Sequence, residues 1–119
     1  MKRFLFIVSR SPYGSSHALE QMEAAMVAAA FDAKVAVLFR DEGVWNVQQG
    51  QAGAAIGQKT ISNVLTALPA YEIEEVYVCA DSLSGRDVQT EPSLSVKPIH
   101  LSDQQALISA CDVVITAQP

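Results

Sequence analysis

The sequence is poor in charge, in cysteine and in long apolar runs, and each shortage excludes something. Only 18% of its 119 residues are charged, and acidic residues outnumber basic ones 13 to 8, for a formal net charge of -5. A chain of that sign has no general attraction to nucleic acid phosphate, so direct nucleic-acid binding is not expected. The longest apolar run, Phe4 to Val8, is far too short to cross a bilayer. The basic start, Lys2 and Arg3, is followed by this short run and then by Ser9, Arg10 and Ser11, not by the longer apolar region and cleavage site of a secretory signal. The expectation is a cytoplasmic protein without a membrane segment. Two cysteines, Cys79 and Cys111, give neither a disulfide framework nor metal spacing, and reduced thiols are expected. His17 and His100 have no ligand spacing to carboxylates or cysteines, so no metal is expected.

What is abundant is apolar residues, 50% of the chain. The length suits one compact core, and the expectation is a single domain over 1–119. Continuous apolar runs at 3–9 and 34–39 read as strands covered on both faces, the mark of a parallel sheet. Between them, Ala18, Leu19, Met22, Ala25, Met26, Ala29 and Ala30 fall on one helical stripe, with Ser16 as its expected cap. Ile61, Val64, Leu65 and Leu68 predict a further helix stopped by Pro69. A third strand is predicted over 73–80, followed by a short helix capped by Asp81 or Ser82 and ending near Gly85. Residues 95–100 contain Pro98 and suit a short or edge strand. A helix capped by Ser102, with Ala106, Leu107 and Ala110 on its apolar face, and a last strand over 112–116 complete the alternation. The fold class expected is a three-layer α/β/α sandwich with a mostly parallel sheet of about five strands.

Few residues in this pattern have the right place for chemistry. Cys79 ends the third strand, where open parallel sheets hold ligands, and a helix starting there would favour its thiolate; the alternative is a small buried hydrophobe. Cys111, just before a buried strand, reads as structural. The loop from Ser9 to Ser16, with Pro12, Tyr13 and Gly14, is hydroxyl-rich and could hold a phosphate at a helix start, as in a flavodoxin-like flavin or nucleotide module. It has neither a GxGxxG motif nor a P-loop lysine, and no cofactor is expected. No serine sits in a G-x-S-x-G elbow. Val44 and Trp45, ahead of a stretch at 48–58 with four glutamines and three glycines, form either a core plug or an apolar surface for a partner. So many apolar residues in so short a chain make an obligate interface plausible.

Three stretches together resemble a known family: Lys2-Arg3-Phe4 through Ser9 with Pro12 and Gly14, Asp41-Glu42-Gly43-Val44-Trp45 with Gly50-Gln51 behind it, and Val78-Cys79-Ala80-Asp81-Ser82-Leu83. In this order and spacing the chain resembles the TusC/DsrF branch of the DsrE family of sulfur-relay proteins, over nearly its whole length. The resemblance implies a small α/β subunit, without catalytic activity of its own, that assembles with TusB- and TusD-like (DsrH- and DsrE-like) subunits in a heterohexamer. It implies a complex that takes persulfide sulfur from a TusA-like carrier and gives it to a TusE-like one, for 2-thiolation of tRNA wobble uridine or, in the DsrEFH counterpart of sulfur-oxidising bacteria, for sulfur trafficking to or from sulfite reductase machinery. In that family the carrier cysteine belongs to the DsrE/TusD subunit. The TusC/DsrF subunit can have a cysteine at the matching strand end, as Cys79 is here, and is usually assigned a structural role. Asp81, two residues on, would oppose a thiolate unless its carboxylate points away. Pro12, Tyr13, Gly14, Val44, Trp45 and Asp81 are the expected interface and pocket residues, and Cys79 the candidate sulfur-bearing one.

Overall fold

The computed structural model describes residues 2–12, 16–48, 63–92 and 94–116. Its five strands are β1 (Arg3–Val8), β2 (Lys34–Phe39), β3 (Glu75–Cys79), β4 (Lys97–Ile99) and β5 (Val113–Thr116). They form one sheet in the order β4-β3-β2-β1-β5, and every pairing is parallel. The helices are α1 (His17–Ala30), a helical stretch at 63–67 (α2), α3 (Ala80–Arg86) and α4 (Leu101–Ser109). Two 3-10 segments, Asp41–Val47 and Leu68–Tyr71, follow β2 and α2. The expected class, a mostly parallel five-stranded sheet between helical layers, is the one observed.

The continuous apolar strands are explained by the two cores they separate. Alternate residues of a strand face opposite sides of the sheet. Phe6, Val8, Val35, Val37, Phe39, Val76 and Val78 meet Ala18, Met22 and Ala25 of α1 and, partly buried, Leu83 of α3. Leu5, Ile7, Ala36 and Leu38 face the other side, where Leu107 and Ile108 of α4 pack with Tyr77, Ile99 and Cys111. Helix α3, leaving β3, therefore lies on one face, and α4, leaving β4, on the other. Neighbouring strands whose connections depart to opposite faces leave a crevice at their carboxyl ends, the position where open α/β sheets bind ligands. Here the crevice lies between β3 and β4, where Cys79 is paired with Ile99.

Several local expectations are corrected. Ser16 holds the cap position of α1, but its hydroxyl donates to Glu20 Oε1 (2.8 Å) and makes no backbone cap. Gln21 joins the buried face of α1, its Nε2 donating to the Ile7 carbonyl at 2.9 Å. Pro69 does not simply stop a helix; it sits in the first turn of the 3-10 segment, where a missing N–H costs nothing. Strand β3 is shorter than expected, and α3 starts directly after it, capped by Cys79 and not by Asp81 or Ser82. It runs past Gly85 to Arg86, and Asp87 closes it in the left-handed region (φ 52). Helix α4 starts two residues earlier than a Ser102 cap would give, with His100 in the cap position. Its buried residue is Gln104, whereas Ala106 and Ala110 are exposed. Pro98 is tolerated because β4 is an edge strand paired only with β3. Tyr13, Gly14, Ile61 and the glutamine–glycine stretch after Gln48 lie outside the described residues.

Candidate functional site

The site is the crevice at the carboxyl ends of β3 and β4. Alternation along β3 puts Val76 and Val78 on the α1 face and turns Cys79 towards α4. The thiol is 2% exposed and serves as the cap of α3, with Sγ accepting the Ser82 N–H at 3.4 Å. Ser82 is itself buried, and its Oγ accepts the backbone N–H of Asp41 at 3.0 Å. Burial alone would push the Cys79 thiol up; the Ser82 hydroxyl and N–H, the Gln104 amide and the Asp81 backbone N–H outweigh it, leaving the thiol below its ordinary value. Cys111 behaves oppositely. Burial raises it, Arg3 pulls it back, and Glu75 and Asp112 add to the rise. The two thiols are thus separated by environment, one towards thiolate and one away from it.

The Asp81 carboxylate does not face the sulfur. It meets His100 Nδ1 at 3.4 Å on the exposed rim, while its backbone N–H helps hold the thiol down. The condition under which Asp81 would be harmless to a thiolate, a carboxylate pointing away, is the geometry found. Val44 and Trp45 separate. Val44 is wholly buried among Val8, Phe39 and Val47 and is not available to a partner, because the 3-10 segment turns it into the core. Trp45 is half-buried, its Nε1 donating to Glu42 Oε2 at 2.9 Å. The same carboxylate meets Arg86 Nε at 3.4 Å, joining the 3-10 segment to α3 at the side of the crevice. Pro12 is half-buried at the start of the β1–α1 loop; Tyr13 and Gly14 are outside the described residues.

Two residues were not singled out by sequence pattern. By residue type alone Ser82 is a helix cap and Gln104 a polar position in a helix start. The signal for Gln104 would have been a helix whose apolar stripe is too weak to bury it without a glutamine among its core positions. An apolar groove of about 330 Å³, lined by Leu68, Ile73, Val76 and Leu94, lies at the amino end of β3, so it takes no part in the thiol's surroundings. Among the described residues, no group of three or more His, Cys, Asp or Glu side chains is placed to hold a metal ion, and no helix is long and apolar enough to cross a membrane.

The position of Ser82 makes a testable case. In Ser82→Ala the hydroxyl that helps lower the thiol is lost while the helix N–H remains. The titration midpoint of Cys79, read from the ¹³Cβ shift of labelled cysteine against pH, is expected to move up, with that of Cys111 unchanged. A folded pKa below the unfolded one contributes stability on the alkaline side, lost as pH falls through the folded value. Ser82→Ala should therefore lose stability relative to the parent mainly above the lowered Cys79 midpoint.

Comparison with known proteins agrees with this architecture. The sequence profile of the DsrE/DsrF-like family matches residues 2–117. The chain belongs to the DsrE/DsrF-like family. Among its relatives, the intracellular sulfur oxidation protein DsrF of Allochromatium vinosum is 30% identical over 118 residues, covering 99% of this chain and 87% of that protein. A TusC homolog of Pseudomonas aeruginosa is 35% identical over 118 residues, covering 98% of this chain and 99% of the relative. The crystal structure of the ychN protein of E. coli superposes with a TM-score of 0.77 at 20% identity, over 98% of this chain and 100% of that one, a likeness of fold. In this DsrE/DsrF-like chain, then, the fold that places Cys79 at a strand end is like one found in a solved structure.

Proposed function

We propose that this DsrE/DsrF-like chain is an accessory subunit of a sulfur-relay complex of the TusBCD or DsrEFH kind. It would work in the cytoplasm beside TusB- and TusD-like (DsrH- and DsrE-like) partners. The complex would pass persulfide sulfur from a TusA-like to a TusE-like carrier, towards 2-thiolation of tRNA wobble uridine. The family match and the TusC- and DsrF-named relatives support the relay. The observation that carries the accessory role is the burial of the candidate thiol. At 2% exposure, the Cys79 sulfur offers no path for the in-line approach of another protein's persulfide. The chain's part is then to shape and cover a partner's sulfur-bearing cysteine, with Trp45 and the exposed Phe31 and Val27 among the apolar groups left for contact.

The test is co-expression with TusB- and TusD-like subunits. A stable larger complex is expected on size-exclusion chromatography, and the complex should accept sulfur from a persulfide donor with Cys79→Ser as well as with the parent chain. An isolated monomer with no affinity for such partners would count against the reading.

A second reading has its own observation. The hydrogen bonds from Ser82, together with Gln104, hold the Cys79 thiol low, the condition for a sulfur-bearing cysteine. Under that reading, incubation with a persulfide donor adds the mass of one sulfur to the Cys79 peptide, and the increment vanishes in Cys79→Ser. No increment, with or without partners, ends it.

A further inference from the structure

The thiol's surroundings contain one group whose own bonding is incomplete. Gln104 sits in the first half of α4, 2% exposed, and neither its Nε2 nor its Oε1 makes a hydrogen bond. An unsatisfied buried amide costs its full desolvation penalty, and an apolar side chain of similar shape would avoid that cost. Gln104 is therefore a poor choice for packing alone. Its place gives it another use. Cys79 pairs with Ile99, α4 begins two residues beyond Ile99, and the thiol is turned to the α4 side of the sheet. Gln104, buried on the α4 side, is among the groups that lower the thiol, yet its amide closes no bond to it. Donors around reacting groups are often long in the resting state and tighten when charge develops.

We propose that Gln104 is the positioning residue for an anionic Cys79 sulfur, its Nε2 closing on the thiolate from the α4 side while the Ser82 N–H holds it from the α3 side. The crevice between β3 and β4 thus receives one donor from each of the two helices that leave it in opposite directions. The step is an ionisation only: the thiol proton leaves to solvent, the sulfur keeps the electron pair, and the amide rotates to donate. The charged groups on the surrounding elements are Asp81 and Arg86 on α3, Asp41 and Glu42 on the 3-10 segment, Glu75 on β3, Lys97 on β4, and His100 and Asp103 at the start of α4. Asp81 pairs with His100, Glu42 with Arg86 and Glu75 with Arg3, and the causes of the shift at the thiol are burial and hydrogen-bonding groups. The inference deepens the second reading above, since a poised thiolate is what a sulfur carrier requires.

The experiment is a pH titration of the full chain, labelled with ¹³Cβ-cysteine, in the presence of partner subunits if these are needed for solubility. In Gln104→Met, a similar shape without a donor, the Cys79 midpoint is expected to rise while Cys111 stays in place and thermal stability is kept or improved. In Gln104→Glu the rise is expected to be larger, because a carboxylate would face the sulfur. A Cys79 midpoint unmoved in a folded Gln104→Met or Gln104→Glu variant overturns the proposal, as does a loss of stability with no change in the titration, which would make Gln104 a packing residue. The mass increment on Cys79 is read separately. A shifted midpoint without any sulfur uptake leaves Gln104 as the thiol's positioning group and removes the carrier reading; uptake with an unshifted midpoint does the reverse.

Discussion

Replacing Gly43 by alanine is expected to destabilise the fold by on the order of 3 kcal/mol, the upper end of what overpacking usually costs. A Cβ at this position would stand 1.8 Å from the Val8 carbonyl oxygen and 2.7 Å from its carbon. These are backbone atoms of a central strand, so no side chain can swing aside. The Val8 carbonyl also accepts the Arg40 N–H at 3.1 Å, and the Gly43 N–H donates to the Arg40 carbonyl at 2.9 Å. The 3-10 segment is thus laid directly on the end of β1, and only a residue without a side chain permits it. Relief requires the segment to lift, which withdraws the Asp41 N–H from Ser82 Oγ and loosens the hydroxyl that supports Cys79. Against a total stability of roughly 5–15 kcal/mol this is a large fraction. Urea unfolding should show a lowered midpoint, and the Cys79 titration should move up in the folded protein. Gly85 is the internal control. Nothing lies within 4 Å of a Cβ built there, and in a helix Gly→Ala is worth roughly 0.5–1 kcal/mol in the opposite direction. If the two glycines respond alike, the close approach at Gly43 is not what makes it necessary.

Phe39→Ala is expected to cost about 3–5 kcal/mol, as for other fully buried aromatic truncations. Phe39 is the last residue of β2, 0% exposed, between Val8 and Val78 in the sheet. It is among the largest fully buried side chains and packs in the core formed with α1 and Val44 and Val47 of the 3-10 segment. The cavity would open under the segment that supplies Asp41, so unfolding and the Cys79 titration should change together. A conservative Phe39→Leu should recover most of the stability, since it refills most of the volume. Loss of stability with an unchanged titration would show that the crevice is held independently of the core beneath it.

Much of the fold was legible because its signals are local. The runs at Arg3–Val8 and Lys34–Phe39 are continuous because both faces of each strand are covered, and that shows in neighbouring residues. The stripe of α1 is legible for the same reason, as is the edge position of β4, since Pro98 removes a donor that a central strand would need. The turn-rich helix starts were read less well. Serines at Ser16 and Ser102 are plausible caps by type, yet neither hydroxyl bonds the helix backbone, because a cap also needs a chain direction fixed by packing. Val44 shows the same limit. An apolar residue beside a tryptophan in a loop is equally suited to a core or a partner surface, and only the descent of the 3-10 segment onto β1 decides between them.

The sequence by itself determined the composition-level exclusions, the parallel α/β class, the strand end at Cys79 and the resemblance that the family match supports. Only the tertiary structure decided what surrounds that cysteine. Strand order is not written in any one segment, and it is the order β4-β3-β2-β1-β5, with α3 and α4 leaving on opposite faces, that opens the crevice at Cys79. The same order buries Gln104 of the next helix among the groups that lower the thiol, sends the Asp81 carboxylate to His100, and puts Ser82 under the Asp41 N–H. A thiol's charge state depends on the donors and dielectric within a few ångströms of it, and those come from parts of the chain that sequence spacing does not connect.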